Sequence, residues 1–393
     1  MITVRRVMDG AMVLFLASCY FSIAVNSLSL GLMALCWILL MILERRWSVV
    51  STPYDWFFLA WIVAEYLSTA FSENAPQSLF FSKRLLLIGV VYFFATHITS
   101  EGKAKLVVLT LLGAATAVSL LGVGKLVRAM VVDGTEEVTR LGIFQFYMTT
   151  SELLMIALLL TLPFVVHPRT PSRWRIAGML AVIPMGIALY ATVTRGAYLA
   201  AGAGILFIAL VRNIKLIIPL VLLVALLVLF APPYVQQRLA SITDIHHPEN
   251  ATRVMLWSTG ITIFEHFPVV GVGDIDLREL YDRYATVVNP EHHGHLHNVP
   301  LQILVTLGIV GFCAVYALFV KIAVTEWRVF ALLRDEWFRG SVALGALAVF
   351  VGFHVMGLTE WSFGDQEVVI LLWITVGMSL AVGRMATPPP STT

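Results

Sequence analysis

Residues 10–43 read GAMVLFLASCYFSIAVNSLSLGLMALCWILLMIL, thirty-four positions without a charged side chain. A bilayer-spanning helix needs about 20 mostly apolar residues, so this run is too long for one span and short for two. The polar pair Asn26-Ser27 near its middle predicts two short helices, about 10–25 and 27–43. The division decides the topology. A single span would carry Arg45-Arg46 to the opposite side from Arg5-Arg6, and short cytoplasmic segments are where Lys and Arg accumulate.

The rest of the chain repeats the pattern. Further apolar runs predict spans at about 53–71, 84–99, 105–124, 149–166, 174–194, 196–211, 215–233, 300–323, 338–357 and 368–385. The 393 residues are 59% hydrophobic and 13% charged, with a mean hydropathy of +0.87. A soluble domain carries roughly 25% charged and about 45–50% apolar residues. A water-soluble enzyme is excluded. The net charge of +2 and the lack of a basic stripe argue against a nucleic-acid partner. The expectation is an all-α polytopic membrane protein of about 12 transmembrane helices, residues 1–393 forming a single integral membrane domain. With the amino terminus inside, sixteen of the 26 Lys and Arg fall on the cytoplasmic side and the acids lean outward. Both termini are then cytoplasmic.

Cys19, Cys36 and Cys313 all lie in apolar runs and are expected to be free, buried thiols. Leu16-Ala17-Ser18-Cys19 after Arg5-Arg6 imitates a lipoprotein cleavage site, but Asp9 interrupts the apolar segment, so an uncleaved first helix is expected. The tail Pro388-Pro389-Pro390-Ser391 reads as a short disordered end.

Residues 232–298 stand apart, a long outside segment between spans nine and ten that holds seven of the ten histidines. Structureless loops of that length are uncommon unless functional. Asn250 or Thr252 can cap a helix bearing Val254, Leu256, Trp257, Ile261 and Phe264, which Pro268, Gly271 and Gly273 end. A second short helix is expected over about Asp276 to Ala285. Both are amphipathic and suited to the outer membrane face.

The densest chemistry is Glu291-His292-His293-Gly294-His295-Leu296-His297-Asn298. Three readings stand: a solvated loop tip, a metal site using the alternating His293, His295 and His297, or a general base. An imidazole titrates near neutral pH and can take a proton from an attacking hydroxyl. His297, at the start of the tenth span, is the residue best placed for it. Arg195, in Thr192-Val193-Thr194-Arg195-Gly196-Ala197, is either a snorkelling anchor or a ligand contact, with Gly196 and Ala197 leaving room beside the guanidinium. Arg253 carries the same two readings. Two arginines at one membrane face suit a diphosphate, because guanidinium matches phosphate oxygens in bidentate geometry. Gly271-Val272-Gly273 is too short for a phosphate loop and reads as a turn. Glu65, costly in lipid, should face the bundle interior.

These residues together resemble the O-antigen ligase and polymerase superfamily of bacterial envelope glycosyltransferases. His297-Asn298-x-x-Leu301-Gln302 with Gly308-x-x-Gly311 is similar to its signature. So are Thr252-Arg253-x-x-x-Trp257 with His266-x-Pro268-x-x-Gly271-x-Gly273, the Thr194-Arg195-Gly196-Ala197 turn, and Gly357-Leu358-x-Glu360 with Phe363-Gly364-Asp365-x-Glu367. The resemblance implies a GT-C-like architecture with a large periplasmic loop, in the bacterial inner membrane. It implies a metal-independent, inverting ligase without a cofactor, moving a glycan from undecaprenyl diphosphate to a sugar hydroxyl of lipid A–core. Arg195 and Arg253 would hold the diphosphate and His297 would activate the acceptor. Arg140, beside Gly142-x-Phe144, is a third phosphate contact or a loop arginine paired with Glu136 or Glu137. His293 and His295 would be spare. A polymerase using the same donor is the near alternative. A secondary transporter or a non-catalytic envelope scaffold are the remaining ones, the former expected to keep its polar residues near the bilayer midplane.

Overall fold

The computed structural model describes residues 1–132, 140–285 and 294–386. The described residues are helical, with no strand. In chain order the helices are α1 (Ile2–Ser18), α2 (Ile23–Glu44), α3 (Asp55–Ala70), α4 (Ala75–Phe81), α5 (Ile88–His97), α6 (Glu101–Val131), α7 (Tyr147–Val166) and α8 (Ser172–Ala191). They continue with α9 (Arg195–Arg212), α10 (Ile217–Leu229), α11 (Pro233–Ala240), α12 (Pro248–His266), α13 (Arg278–Tyr284), α14 (Val299–Leu333), α15 (Trp337–Met356) and α16 (Gln366–Ala386).

Every apolar run of the sequence is a helix. Nine of them, among the described residues, are long and apolar enough to cross a membrane, counting Ala75–His97 as one. The α1, α3 and α10 helices are shorter, at 17, 16 and 13 residues, and α10 meets α11 at a bend of 116°. The protein is a multi-pass membrane protein. Its outer helices show why: large apolar side chains such as Leu35, Leu86, Ile183 and Leu226 are exposed, in a quantity that water would not tolerate.

Three expectations need correction. The first break falls at Cys19–Ser22, not at Asn26-Ser27. Ser22 caps α2 by accepting from Val25 N at 3.3 Å. Asn26 lies inside α2, where its Nδ2 donates to Phe15 O at 2.9 Å and so ties α2 to α1. The polar residue marks a buried staple between two helices, and the chain turns one helical turn earlier. Cys19 and Cys36 are free and buried, but Cys313 is exposed, in an open groove that α14 lines together with Phe57 of α3. The fourth span begins at Ala75, capped by Asn74, and breaks into a 3-10 stretch over Ser82–Leu87. Arg84 in that stretch turns inward to Glu65 and Asp274.

The centre of the bundle is formed by α7, α15 and α16, with 72%, 78% and 83% of their most apolar windows buried, against 33% for α2, α6 and α8. A helix apolar on every side belongs inside. In lipid, association depends on close packing rather than on the hydrophobic effect. Small residues provide it where α9 meets α7 and α15: a Cβ on Gly204 would lie 2.6 Å from the Leu159 side chain of α7 and 3.1 Å from Ala348 O of α15. Trp61, Trp373 and Phe363 are buried against one another at the centre.

One interlock positions the site. Gly308 sits inside α14 at φ 62° and ψ −169°, breaking the helix. The turn after α12 lies against that break, with Gly271 and Gly273 also at positive φ. Val272 N and Gly273 N donate to Val305 O and Thr306 O at 3.1 and 2.9 Å, and Ile309 N and Val310 N donate back to Pro268 O and Val269 O at 2.9 and 3.2 Å. The α14 carbonyls and amides freed by the break are satisfied by the turn. Leu256 and Ile263 of α12 pack with Leu277 and Leu280 near α13 and Val305 of α14 in a second small core, so the amphipathic faces of the long loop are covered largely by each other. The masses of charge divide by end: Arg169, Arg175, Arg212 and Arg334 gather around the α7–α8, α9–α10 and α14–α15 connections, away from the turns holding Arg195, His297 and Glu360.

A side chain at Gly308 should not be accommodated. A Cβ there would meet Val269 O at 2.3 Å, and a non-glycine residue in this backbone region costs about 1–3 kcal/mol before the clash is counted. Gly308→Ala is expected to lower the melting midpoint of the detergent-purified protein, followed by tryptophan fluorescence. An unchanged midpoint would contradict the interlock.

Candidate functional site

Arg195 is the first residue of α9. Val193 before it has φ 51°, which turns the chain sharply and points the guanidinium back under the long loop. The side chain is 7% exposed and does not snorkel. Its Nη1 donates to Ser241 O at 2.7 Å and Ser241 Oγ at 2.8 Å, and its Nη2 to Glu249 Oε2 at 3.0 Å and Asn250 Oδ1 at 2.9 Å. The room expected beside Gly196 is filled by protein. A Cβ on Gly196 would lie 2.8 Å from Thr359 Oγ1 and 3.1 Å from Met356 Sδ, so the glycine lets α9 approach the turn after α15.

Glu249, in the first turn of α12, is the hub. Arg140 Nη2 reaches its Oε1 at 2.6 Å, and Arg238 Nη2 reaches Oε1 at 2.7 Å. With Arg195, three guanidinium groups share one carboxylate. Arg140 also donates to the Tyr147 hydroxyl. Glu136 and Glu137, its suggested loop partners, lie outside the described residues. Burial alone would push the Glu249 carboxyl up, but hydrogen bonds and charge from Arg238 and Arg140 outweigh it and hold it down at about 2.

Arg253 stands one turn along α12 from Glu249 and faces the second carboxylate, Glu360, at 3.9 Å. Glu360 follows α15 and is 7% exposed. Its Oε1 lies 2.6 Å from His297 Nδ1. Burial pushes the Glu360 carboxyl up, and the His297 hydrogen bond and charge more than compensate, holding it below the usual range. An ionised carboxylate only accepts, so Nδ1 carries the proton in this pair and the lone pair of a neutral ring sits on Nε2. A base oriented by a carboxylate behind it is the arrangement that hydroxyl activation requires.

The backbone around His297 explains the motif. His297 has φ 48°, uncommon for a residue with a side chain and frequent at functional sites. Asn298 caps α14 by accepting from Leu301 N at 2.8 Å and donates Nδ2 to Leu358 O at 2.9 Å. Val299 N donates to Gly357 O at 2.6 Å. Gln302 Oε1 accepts from Leu296 N at 2.8 Å, and Trp257 Nε1 donates to Leu296 O at 3.0 Å. The His-Asn-x-x-Leu-Gln spacing is therefore a device for holding a strained histidine at a helix start, against the turn that bears Glu360.

Arg195, Arg238, Arg253, Glu249, Glu360 and Tyr147 line one narrow cleft at this end of the bundle. Arg140 joins it through Glu249. Among the described residues the group sets four guanidinium groups against two carboxylates. Of the residues singled out in the sequence, Arg140, Arg195, Arg253 and His297 are thus gathered around this cleft. His293 lies outside the described residues. His295 is adjacent: it, His297 and Glu360 present ligand atoms all within 4.8 Å of one another, a donor set that zinc or another transition metal accepts. Glu65 faces the interior as expected, its carboxylate 3.3 Å from Arg84 Nη2.

Sequence reasoning assigned no role to Arg238, Glu249 or Glu360. Glu360 stood inside a quoted motif and Glu249 beside a helix start, but neither position says which cation it meets. Acid titration reports on the hub. The depressed Glu249 carboxyl contributes stability that is present above the ordinary glutamate range near 4.5 and is lost as pH falls toward about 2. The melting midpoint of the wild type should fall through that window more steeply than that of Glu249→Gln. Equal slopes would show that the three arginines do not depend on this carboxylate.

No match is found among curated proteins. A family model described as O-antigen ligase matches residues 180–316, a range that runs from α8 into α14 and holds Arg195, Arg238, Glu249, Arg253, His295 and His297. Over residues 180–316, this multi-pass membrane protein is thus similar to the O-antigen ligase family.

Proposed function

We propose that the protein is an O-antigen ligase that transfers a glycan from undecaprenyl diphosphate to a sugar hydroxyl of lipid A–core, at the periplasmic face of the bacterial inner membrane. The observation that carries the reading is the junction of an arginine cleft with an oriented histidine: Arg253 and His297 share Glu360, and Arg195 and Arg140 share Glu249 one turn away. The basic residues at the opposite end of the bundle support a cytoplasmic location for that end, by the preference of short loops for Lys and Arg.

The chemistry follows from the charges. The cleft holds two more guanidinium groups than carboxylates among its described residues, which suits a diphosphate diester of about two negative charges. The free space is only about 20 Å³, so the donor phosphates must take over the arginine hydrogen bonds that Glu249 now accepts. The acceptor hydroxyl oxygen attacks the anomeric carbon as His297 Nε2 takes its proton. The bond from that carbon to the diphosphate oxygen breaks, and its electron pair leaves on the phosphate. Arg195, Arg238 and Arg253 stabilise the developing charge, as preorganised cations can without a metal. Glu360 stabilises the imidazolium. Attack opposite the leaving group inverts the anomeric configuration. The chain acts as one membrane unit, with the 232–298 loop supplying Arg238, Glu249, Arg253 and His297.

Reconstitution with lipid-linked glycan and lipid A–core tests the reading. His297→Ala should lower kcat by about 10²–10⁴-fold while donor affinity is retained, and Glu360→Gln should lower kcat in the same direction. Arg195→Ala and Arg253→Ala should raise the donor KM. Growth of glycan on the carrier in place of transfer to core would make the protein a polymerase. A chelator should leave the rate unchanged; its abolition would instead assign His295, His297 and Glu360 to a metal.

A further inference from the structure

Beside the arginine cleft lies a larger cavity of about 500 Å³ that shares none of its lining residues. The two meet back to back. Glu360 lines the cleft and its neighbour Trp361 lines the cavity. His295, on the cavity wall, has its ring centroid 4.2 Å from that of His297.

We propose that this cavity is the acceptor subsite, taking the terminal sugar of a membrane-anchored glycolipid so that acceptor and donor diphosphate approach His297 from opposite sides. The proposal rests on the transferase reading above. Its chemistry is an uncharged hydroxylated ring on an acyl anchor, and three features of the wall select it.

The first is charge. Unlike the cleft, the cavity has a balanced lining, with Lys83 and Arg84 set against Asp274 and Asp276. Arg84 is held between Glu65 and Asp274, and Arg278 is bound to Asp276. A diphosphate would meet Asp274 and Asp276 as well as Lys83 here, with no cationic excess to hold it, whereas sugar hydroxyls can donate to the carboxylates. Asp276 is only partly buried, with its side chain 25% exposed, so an oxygen can accept from a ligand.

The second is shape and polarity. Trp361 and Phe81 supply flat apolar walls, suited to the C–H face of a pyranose. Asp274, Asp276, Gln302 and Gln366 stand in the same lining, and ligand sites of this size are commonly apolar with a few placed polar groups.

The third is access. The cavity wall continues onto Leu30 of α2 and Leu86 of the 3-10 stretch, both within helices long and apolar enough to cross the membrane. Leu86 is 79% exposed. The break of the fourth span at Ser82–Leu87 thus opens the cavity sideways. A lipid-anchored acceptor can place its sugar against Trp361 and Asp276 while its chains stay in the bilayer. A free sugar would need no such opening.

The test uses the full chain in nanodiscs, with lipid A–core as probe. Asp276→Asn removes the accepting charge, and Leu86→Trp narrows the lateral opening at an exposed position that folding does not require. Each should raise the KM for lipid A–core by about tenfold, one hydrogen bond or contact's worth, and leave the KM for the polyprenyl-linked donor unchanged. Binding of lipid A–core without donor should weaken by the same factor. If binding weakens but the wild type transfers nothing, the transferase reading fails and the cavity assignment stands. A donor KM that rises instead, unchanged acceptor binding in both variants, or no binding of lipid A–core by the wild type would each overturn it.

Discussion

Guanidinium groups cannot be collected at the mouth of an apolar bundle without counter-charge. Each removed from water costs several kcal/mol unless it is paired and hydrogen-bonded. Here one carboxylate, Glu249, accepts from Arg140, Arg195 and Arg238, and a second, Glu360, stands between Arg253 and His297. The supply is deliberately short. With fewer carboxylates than guanidinium groups the cleft is held together yet keeps positive charge over, the condition under which an incoming anion can replace an internal one. The same shortage explains why Arg195, which an apolar helix end would ordinarily send toward the interface, stays inside.

The rigid frame behind this cluster is the broken α14. The helix begins beside Gly357 and Leu358, through Val299 N and Asn298 Nδ2, and three turns later is clasped by the turn at Gly271. Both clasps involve the loop that precedes it or the turn that follows α15. His297 is therefore placed by two segments far apart in sequence, and its positive φ is maintained by the surrounding bonds. A flexible loop tip would not hold an imidazole to a carboxylate at 2.6 Å. Strain retained at such a position is the usual mark of a site whose geometry matters more than its stability.

The arrangement also separates two spaces. The arginine cleft lies on one side of the Glu360-Trp361 pair and a cavity of mixed apolar and charge-balanced lining on the other. Two substrates with opposite electrostatic needs can then be handled by one fold, because the dividing residues are consecutive in a turn. The fourth span contributes by breaking: Arg84 leaves the helical path to join Glu65 and Asp274, which pairs this buried cation with two carboxylates.

Much of this was legible before any coordinates. Apolar length and the positions of Lys and Arg are local, additive signals, so the runs that became helices could be read one by one, and so could the long loop. The histidine motif and the arginine turns were visible because each is a short stretch with its own backbone demand. The break at Cys19–Ser22 was not, since Asn26 is polar for a reason that lies on α1, in its bond to Phe15 O. Nor were Glu249, Arg238 and Glu360 legible as partners. Glu249 is 109 positions from Arg140 and 54 from Arg195, and His297 is 63 from Glu360. The amino-acid order determined which segments enter the membrane and which carry chemistry; only the packing of the helices decided which charges meet, because pairing depends on distance in space and an ion carries no label in sequence for its partner.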